Sequence, residues 1–251
     1  MSEASALPWA TATATGHAIG LYAKWSPELD GKIDAAVQRL RDAHATHADA
    51  VVQSSSLGVE DMVITDLIAR HQLPIAIATL DTAKLHAETL ALLPRIEARY
   101  GRTVAVFQPV AEAVIEFVRR EGEDVMFKSL EGRKACCALR KLEPLARMLA
   151  GRSAWITGLR REQSGARGEV AFDEDDGQGR RKLSPIADWT WGEVWAYVEK
   201  HDVPTNPLHD QFMPSIGCAP CTRAIAVGED FRAGRWWWED SSKECGLHAK
   251  T

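Results

Sequence analysis

The sequence lacks any long apolar run. Its 251 residues contain no stretch of about 18 or more apolar side chains, so no transmembrane helix is predicted. The N-terminal segment also lacks the basic start and apolar centre of a secretory signal. We therefore expect a cytoplasmic protein that does not associate with a membrane.

A surplus of basic residues is also absent. The chain has 30 Lys and Arg against 35 Asp and Glu, which gives a formal net charge of −5 at pH 7. No overall positive field therefore points to a nucleic-acid partner. Any site for a small anion must instead be made by a local cluster of Arg and Lys.

Cysteine is scarce, with five residues in the chain. At this length, with 45% hydrophobic residues, a core can form without disulfide bonds. In a reducing compartment a cysteine pattern suggests metal binding or catalysis more than disulfides. Since the count is odd, one cysteine is left over from any set of four.

Strand and helix patterns alternate along the middle of the chain. Pro94 is expected to bend or interrupt the second of the intervening helices, and Gly101 to end it. Strands separated by single helices need right-handed crossovers, which predicts an α/β fold with a mostly parallel sheet and helices on both faces. The predicted strands are 49–56, 73–81, 103–109 and 153–159, and the predicted helices include 26–47, 59–71, 86–101 and 188–204.

Three parts of unequal size are expected along the chain. Residues 1–25 are rich in Ala, Thr and Ser and are predicted to be a loosely ordered arm. Residues 26–230 are predicted to form a single α/β domain, and residues 231–251 a C-terminal tail. The polar stretch 172–182 is interpreted as a surface loop or a flexible hairpin.

Four cysteines form the first candidate site. Cys136 and Cys137 are adjacent, while Cys218 and Cys221 form a C-x-x-C pair. Neighbouring Cα atoms lie about 3.8 Å apart, which is short for a disulfide. The adjacent pair also fits poorly with zinc knuckles, whose ligands are spaced by intervening residues. A metal centre is favoured, and an iron–sulfur cluster over zinc. Buried apolar cysteines or a redox dithiol are the alternatives.

Cys245, in the stretch KECGLH, is the fifth cysteine. Lys243 and His248 are close in sequence and could favour its thiolate form, while Gly246 gives the backbone freedom to present it. A thiolate here could act as a nucleophile that carries a covalent intermediate to a second partner. An inert tail cysteine is the alternative interpretation.

Polar and basic loops follow several predicted strands, where α/β folds bind ligands. Hydroxyls and backbone N–H groups of SSSLGVED could hold an anion, and Arg suits bidentate contacts with phosphate or sulfate. Capped loops and solvated basic segments are the alternatives, and Asp81 could merely cap the next helix. The candidate residues are Ser54, Ser55, Ser56, Leu80, Asp81, Thr82, Arg160, Arg167, Arg232 and Arg235.

Seven segments together resemble the assimilatory adenylyl-sulfate reductases. The resemblance spans about residues 50 to 248 and implies a fold of the adenine nucleotide hydrolase type, related to the ATP pyrophosphatases. It implies that the enzyme reduces adenosine 5′-phosphosulfate (APS) to sulfite and AMP, with thioredoxin as electron donor. The segments are SSSLGVED, LDTAKLH, CCALRKLEPL, GLRREQSGAR, GCAPCT, FRAGRWWW and KECGLH.

The resemblance also implies roles for individual residues. One [4Fe-4S] cluster would be bound by Cys136, Cys137, Cys218 and Cys221. Cys245 would attack the sulfur of the substrate, expel AMP and become an S-sulfocysteine that thioredoxin releases as sulfite. Lys141, four residues after Cys137, would connect the cluster to the substrate. The remaining substrate contacts would come from the loop that begins with Ser54, Ser55 and Ser56, which we call the serine loop. The other contacts would be Leu80, Asp81, Thr82, Arg160, Arg167, Arg232, Arg235 and His248.

The chain departs from the family pattern at one motif, and other functions remain alternatives. Ala83 and Lys84 stand where the family usually has Gly and Arg. The alternatives are reduction of the 3′-phosphorylated substrate (PAPS), an ATP-splitting transferase of the same fold, and a zinc-stabilised nucleotide-binding protein. A homo-oligomer is compatible with the sequence.

Overall fold

The computed structural model describes residues 17–163 and 170–239. Within these residues one six-stranded sheet forms the centre of the molecule. Its strands, in chain order, are β1 Val51–Ser55, β2 Ala76–Leu80, β3 Val104–Phe107, β4 Ala154–Ile156, β5 Asp173–Asp175 and β6 Arg181–Leu183.

The sheet is mostly parallel, as the sequence predicts. Its strand order is β3-β2-β1-β4-β6-β5, and β5 alone pairs in the antiparallel direction. Each of the four predicted strands contains an observed one. The segment predicted as a surface loop or flexible hairpin forms β5 and β6, and β6 extends the sheet by pairing parallel to β4. Ion pairs join the two arms of this hairpin, including Lys182 to Glu174 at 3.0 Å.

Helices surround the sheet. Most of them follow a strand and return the chain to the start of the next one, which is the connection that parallel pairing requires. In chain order they are α1 His17–Tyr22, α2 Leu29–His47, α3 Val59–Arg70, α4 Ala87–Leu90, α5 Leu92–Tyr100, α6 Ala111–Glu121, α7 Val125–Lys128, α8 Leu130–Cys137, α9 Glu143–Met148 and α10 Trp191–His201.

The main core lies around α3 and α10. Met62, Ile64 and Leu67 of α3 are fully buried, and Trp195 of α10 is 1% exposed. Complete burial of such side chains stabilises the fold by roughly 1.5–3 kcal/mol each. Because α3 directly follows β1, this packing fixes the loop between them relative to the sheet.

Local signals set where the helices begin and end. Thr190 caps α10, two residues after the start predicted at 188: its hydroxyl accepts from Glu193 N at 3.1 Å, and the Glu193 carboxylate accepts from Thr190 N at 2.7 Å. The helix predicted over 86–101 is interrupted at Ala91, between α4 and α5, and Pro94 lies in the first turn of α5. Gly101 ends α5 with a left-handed φ of 61°, as predicted.

Part of the segment predicted to be a loosely ordered arm forms a helix. Residues 17–22 form α1, in which Ala18 is buried and its N–H donates to Asp210 at 3.0 Å. Tyr22 packs on Trp191, with ring centroids 5.6 Å apart. Aromatic packing on α10 therefore orders this segment despite its weak apolar periodicity. Residues 1–16 lie outside the described part of the chain.

A π-helical segment, Ala138–Leu142, follows α8 directly and continues into α9. A π segment widens the helix by one residue per turn and so changes which side chains face inward. Here both Arg140 and Lys141 are buried, at 5% and 8% exposure. The sequence gives no sign of this local widening, which turns two cations into the protein.

None of the helices in the described residues has the length and apolarity needed to cross a membrane.

Candidate active site

A cavity of about 200 Å³ opens at the carboxyl ends of β1, β2 and β4. Because these strands are parallel neighbours, the loops that follow them meet at one edge of the sheet. Eight residues singled out from the sequence line this cavity: Ser54, Ser55, Ser56, Leu80, Thr82, Lys141, Arg232 and Arg235.

Asp61 ties two of these loops together. One carboxylate oxygen accepts from the backbone N and the hydroxyl of Ser56, at 2.7 and 2.6 Å. The other accepts from Gly158 N, at 2.8 Å, in the loop after β4. Burial raises the pKa of Asp61 to about 6 despite these donors, and the neighbouring Glu60 adds to the shift. The serine loop is therefore held by a buried carboxyl group.

The backbone N–H groups of the serine loop are largely used within the loop itself. Ser56 N donates to Asp61, Leu57 N to the Ser55 hydroxyl at 3.1 Å, and Gly58 N to the Ser56 hydroxyl at 3.2 Å. Three N–H groups of this segment therefore already have acceptors within the protein. Basic side chains add positive charge at the cavity, and the serines contribute polar lining.

Asp81 shapes the loop after β2 and does not line the cavity. Its carboxylate accepts from Ala83 N at 2.9 Å and from the Gln108 side chain at 2.7 Å. It does not cap the next helix, since His86 occupies the N-cap position of α4. Ala83 has a φ of 55°, the left-handed region that favours glycine. Asp81 thus stabilises a strained turn beside the cavity.

The four clustered cysteines are buried beside this cavity. Cys136, Cys137, Cys218 and Cys221 are each 7% exposed, and none forms a disulfide. Cys136, Cys218 and Cys221 pack in an apolar cluster with the fully buried Trp236 and with other side chains, including Phe117 and Met126. The two cysteine motifs, which are far apart in sequence, therefore meet in a buried and largely apolar environment.

Thr82 connects the cysteines to the cavity. Its hydroxyl lies 3.2 Å from Cys218 Sγ, and its carbonyl accepts from the Arg140 guanidinium at 2.9 Å. The next turn of the same loop is also attached, because Lys84 O accepts from Ala219 N at 2.7 Å. One loop after β2 thus contacts both the C-x-x-C segment and the π-helical segment.

Charge and burial shift the two thiols of the C-x-x-C segment in opposite directions. Burial raises the pKa of Cys221 to about 12, and the nearby thiols of Cys218 and Cys137 add to the shift. Burial acts in the same direction on Cys218, but Lys141 and the other surrounding donors and cations outweigh it and lower that pKa. Lys141 therefore favours the thiolate form of Cys218 over that of Cys221.

The four buried cysteines offer thiols as possible metal ligands. Among residues 17–163 and 170–239, no three His, Cys, Asp or Glu side chains converge where a single metal ion could be held. Four thiolates around several irons occupy a larger volume, and each iron takes its own ligand. Four buried thiols with apolar walls and adjacent cations match the donor chemistry of such a group.

Two of the cavity's cations come from the C-x-x-C side of the site. Arg235 is 7% exposed and donates to Ile216 O at 3.2 Å. Its guanidinium packs directly over Gly217, where an added Cβ would overlap it. Within the described residues nothing accepts from Arg235 Nε. Together with Lys141 and Arg232, which also line the cavity, this buried cation makes the cavity suited to an anion.

The structure does not bring Arg160 into the cavity. Its guanidinium is 1% exposed and donates to Glu60 at 3.0 Å, to Glu162 at 3.0 Å and to Trp189 O at 3.1 Å. Arg160 thereby neutralises Glu60, which itself lines the cavity. The interpretation of Arg160 as a substrate contact is therefore corrected to a structural role, because its donors are already occupied. Arg167, Cys245 and His248 lie outside the described residues.

Several lining residues were not found from the sequence. Most lie within the recognised segments but were not singled out there, because they are apolar or small or stand beside a stronger signal. They include Glu60, Gln163, His209, Gly217, Phe231 and Trp236, of which only His209 lies outside those segments. Gly217 and Trp236 share their segments with the C-x-x-C pair and Arg235, and this shared position was the available clue.

Comparison with known sequences points to one family. A family model described as the phosphoadenosine phosphosulfate reductase domain matches residues 50–224. The chain is 52% identical over 219 residues to an adenosine 5′-phosphosulfate reductase of Allochromatium vinosum, covering 86% of each chain. It is 48% identical over 231 residues to the enzyme of the same name from Burkholderia cepacia, covering 90% of this chain and 91% of that one.

Solved structures agree with this comparison. A phosphoadenylyl-sulfate reductase from Candida auris, in a phosphate complex, has 25% identity and a TM-score of 0.64, covering 79% of this chain and 98% of that one. An FMN adenylyltransferase from Candida glabrata in complex with ATP shares the fold at 10% identity and a TM-score of 0.55, covering 80% of this chain and 67% of that one. By its sequence matches, its fold and the arrangement of its site, the chain belongs to the phosphoadenosine phosphosulfate reductase family.

Proposed function

We propose that the protein reduces adenosine 5′-phosphosulfate to sulfite and AMP, using thioredoxin as the electron donor, in the cytoplasmic assimilation of sulfate. The observation that carries the proposal is a cavity at the sheet edge that holds Lys141, Arg232 and Arg235 directly beside four buried cysteines. The names of the curated relatives support APS as the substrate.

The residues that line the cavity are of two chemical kinds, which match the two parts of this substrate. Lys141, Arg232 and Arg235 would bind the phosphate and sulfate groups, because cationic donors form the strongest hydrogen bonds to such oxyanions. The serine loop, Leu80 and Thr82 would line the rest of the nucleotide site. Arg167 and His248, outside the described residues, are proposed as further contacts to the anion.

The reaction follows from the chemistry of a sulfuryl group on a good leaving group. The Cys245 thiolate forms a bond to the substrate sulfur, and the bond from that sulfur to the phosphate oxygen breaks and releases AMP. The enzyme then carries an S-sulfocysteine. A thioredoxin thiolate attacks Cys245 Sγ, sulfite leaves with the bonding electron pair, and the second thioredoxin thiol resolves the mixed disulfide. Thioredoxin thereby supplies the two electrons.

The four buried cysteines are proposed to hold one [4Fe-4S] cluster. When bound, the cluster supplies a fixed local charge and holds the helix and loop that carry its ligands. The chain's own residues do the rest: Thr82 ties the cysteine region to the nucleotide loop, and Lys141 lies between the thiols and the cavity. Lys141 is thereby proposed to present its charge to the substrate anion.

The experiment is a sulfite assay on protein purified without air. The protein is given APS or PAPS together with thioredoxin, and iron and labile sulfide are measured on the same sample. We expect sulfite from APS and its loss in Cys245→Ser. Activity retained in that variant would refute the covalent route, and bound zinc without iron would refute the cluster.

PAPS reduction is the second candidate, because the Candida auris structure that resembles this chain is a phosphoadenylyl-sulfate reductase. The two substrates differ by a 3′-phosphate, and the same assay distinguishes them. Faster turnover of PAPS than of APS would favour this second candidate.

A further inference from the structure

A short segment connects the cavity to the part of the chain that carries Cys245. We call Arg235–Glu239 the pivot segment; it ends six residues before Cys245. The first residue of the pivot segment lines the cavity, and the last is the final residue that the structure describes. Whatever holds this segment therefore fixes the point from which the Cys245 segment departs.

Trp236 anchors the pivot segment in the protein interior. It is fully buried, and its backbone N donates to Cys221 O at 3.3 Å. Two guanidinium groups lie against its ring, with Arg133 Cζ 4.5 Å and Arg235 Cζ 4.6 Å from the centroid. Cation–π contacts of this kind are strongest where water is excluded. Trp236 has a φ of 42°, so the surrounding contacts hold the chain in a strained turn.

A buried ion pair holds the last residue of the pivot segment in place. Arg133 Nε donates to the Glu239 carboxylate at 2.5 Å, and the two side chains are 1% and 9% exposed. Removing one member of such a pair leaves the other charge buried and uncompensated, which is strongly unfavourable. Arg133 lies on α8, three residues before Cys136. The helix that carries the adjacent cysteines therefore also holds the start of the Cys245 segment.

We propose that Arg133 and Glu239 are positioning residues that set the effective concentration of the Cys245 thiol at the cavity. Six residues span at most about 20 Å when extended, so the anchor point determines where the thiol can reach. A tethered reactant loses effective concentration when its attachment point moves or loosens. The proposal rests on Cys245 being the nucleophile of the proposed function.

The test is a single-turnover measurement on Glu239→Gln, a substitution that keeps the shape of the side chain and removes its charge. Neither Arg133 nor Glu239 lines the cavity. We therefore expect the rate of S-sulfocysteine formation from APS to fall about 10- to 100-fold, the scale of misplaced reacting groups. The dissociation constant for AMP should stay within about twofold, because the residues that line the cavity are unchanged.

The matched control is Glu229→Gln. Glu229 pairs with Arg223 at 2.8 Å in the same part of the chain, but both side chains are about one third exposed, at 33% and 37%. This variant should react at the wild-type rate, since exposed pairs contribute little. Iron content and melting temperature, measured on all variants, show whether the cysteine region and the fold are intact.

The outcomes distinguish the proposed function from the positioning role of Arg133 and Glu239. Wild-type protein that forms no S-sulfocysteine would refute the proposed function. Wild-type protein that forms it, with Glu239→Gln reacting equally fast, would refute only the positioning role. If Glu239→Gln does not fold, Glu239→Asp decides, because it keeps the charge but withdraws it by one methylene. A folded Asp variant with the full rate would overturn the proposal, and a slower one with unchanged AMP binding would support it.

Discussion

The two sides of the cavity are held together by different forces. On the sheet side, the loops follow parallel strands whose registers, such as Val52 with Ala76, are fixed by backbone hydrogen bonds. On the cysteine side, residues 202–239 contain only short helical turns and isolated bridges. Buried guanidinium groups and Trp236 hold this region, together with scattered backbone hydrogen bonds such as Ala219 N to Lys84 O. The sheet side is held by a repeated pattern of backbone bonds, whereas the cysteine side depends more on individual side chains.

This contrast explains where the structure is sensitive. Losing one hydrogen bond in the sheet leaves its neighbours to hold the register. On the cysteine side, Arg140, Arg235 and Arg133 each hold a different segment, and each is buried. We therefore expect single substitutions on the cysteine side to have the larger effects.

Removing one of the four buried cysteines should have the largest effect on the cysteine side. We expect Cys218→Ser to lose most of its bound iron and labile sulfide, because a hydroxyl is a poor ligand for a cluster that thiolates hold. Iron and sulfide analysis of protein purified without air measures this. Cys245→Ser is the control and should keep the full iron content. A Cys218→Ser protein with undiminished iron would contradict the assignment of the cluster ligands.

Replacing Lys141 should have the second largest effect. We expect Lys141→Ala to lower kcat/KM for APS about 100- to 1000-fold, the usual cost of removing a donor to developing negative charge, while iron content stays unchanged. Steady-state kinetics with thioredoxin measures it. Lys134→Ala is the matched control, since Lys134 is exposed on the preceding helix turn. Equal activity of the two variants would contradict the role given to Lys141.

Gly217 offers a milder way to disturb the same side. A Cβ at this position would overlap the Arg235 guanidinium, so Gly217→Ala should displace that side chain. We expect AMP to bind about 10- to 100-fold more weakly, which corresponds to losing one charged hydrogen bond of roughly 1.5–3 kcal/mol. Titration calorimetry measures the affinity. Gly31→Ala, where the added Cβ meets no atom within 4 Å, should bind normally; similar affinities would show that Arg235 does not contact the nucleotide.

The smallest effect is expected on the sheet side. Ala83 adopts a φ of 55°, so Ala83→Gly should raise the free energy of unfolding by about 0.5–1 kcal/mol. Denaturant unfolding measures the change. Ala98→Gly, on an exposed helix position, should instead lower it by about 1 kcal/mol. Destabilisation by both substitutions would contradict the strain assigned to Ala83.

The sequence predicted the sheet side well because its signals are local. Apolar runs mark β1 to β4, and Gly101 ends α5 through its own backbone preference. Strands β5 and β6 gave no such signal, since each is three residues long and mostly charged. The π-helical segment was not predicted either, because five residues are too few to show a change in helical period. The left-handed turn at Ala83 was hidden because alanine does not favour it.

The candidate site was predictable only where chemistry marks it. The spacing of Cys136, Cys137, Cys218 and Cys221 led to the cysteine region, and the structure brings these four together. In the sequence, Arg160 seemed equivalent to the other arginines, but in the structure it forms an ion pair with Glu60. Arg133 and Glu239 carried no signal at all, because their pairing depends on a contact between residues 106 positions apart.

The proposed function depends above all on one step, the transfer of the sulfuryl group of APS to Cys245. To test it most directly, the protein is mixed with APS in the absence of thioredoxin, released AMP is quantified, and the added mass is located by peptide mass spectrometry. We expect one SO₃ group per chain on the peptide that contains Cys245, with an equal amount of AMP. No modification, or modification of one of the four clustered cysteines instead, would contradict it.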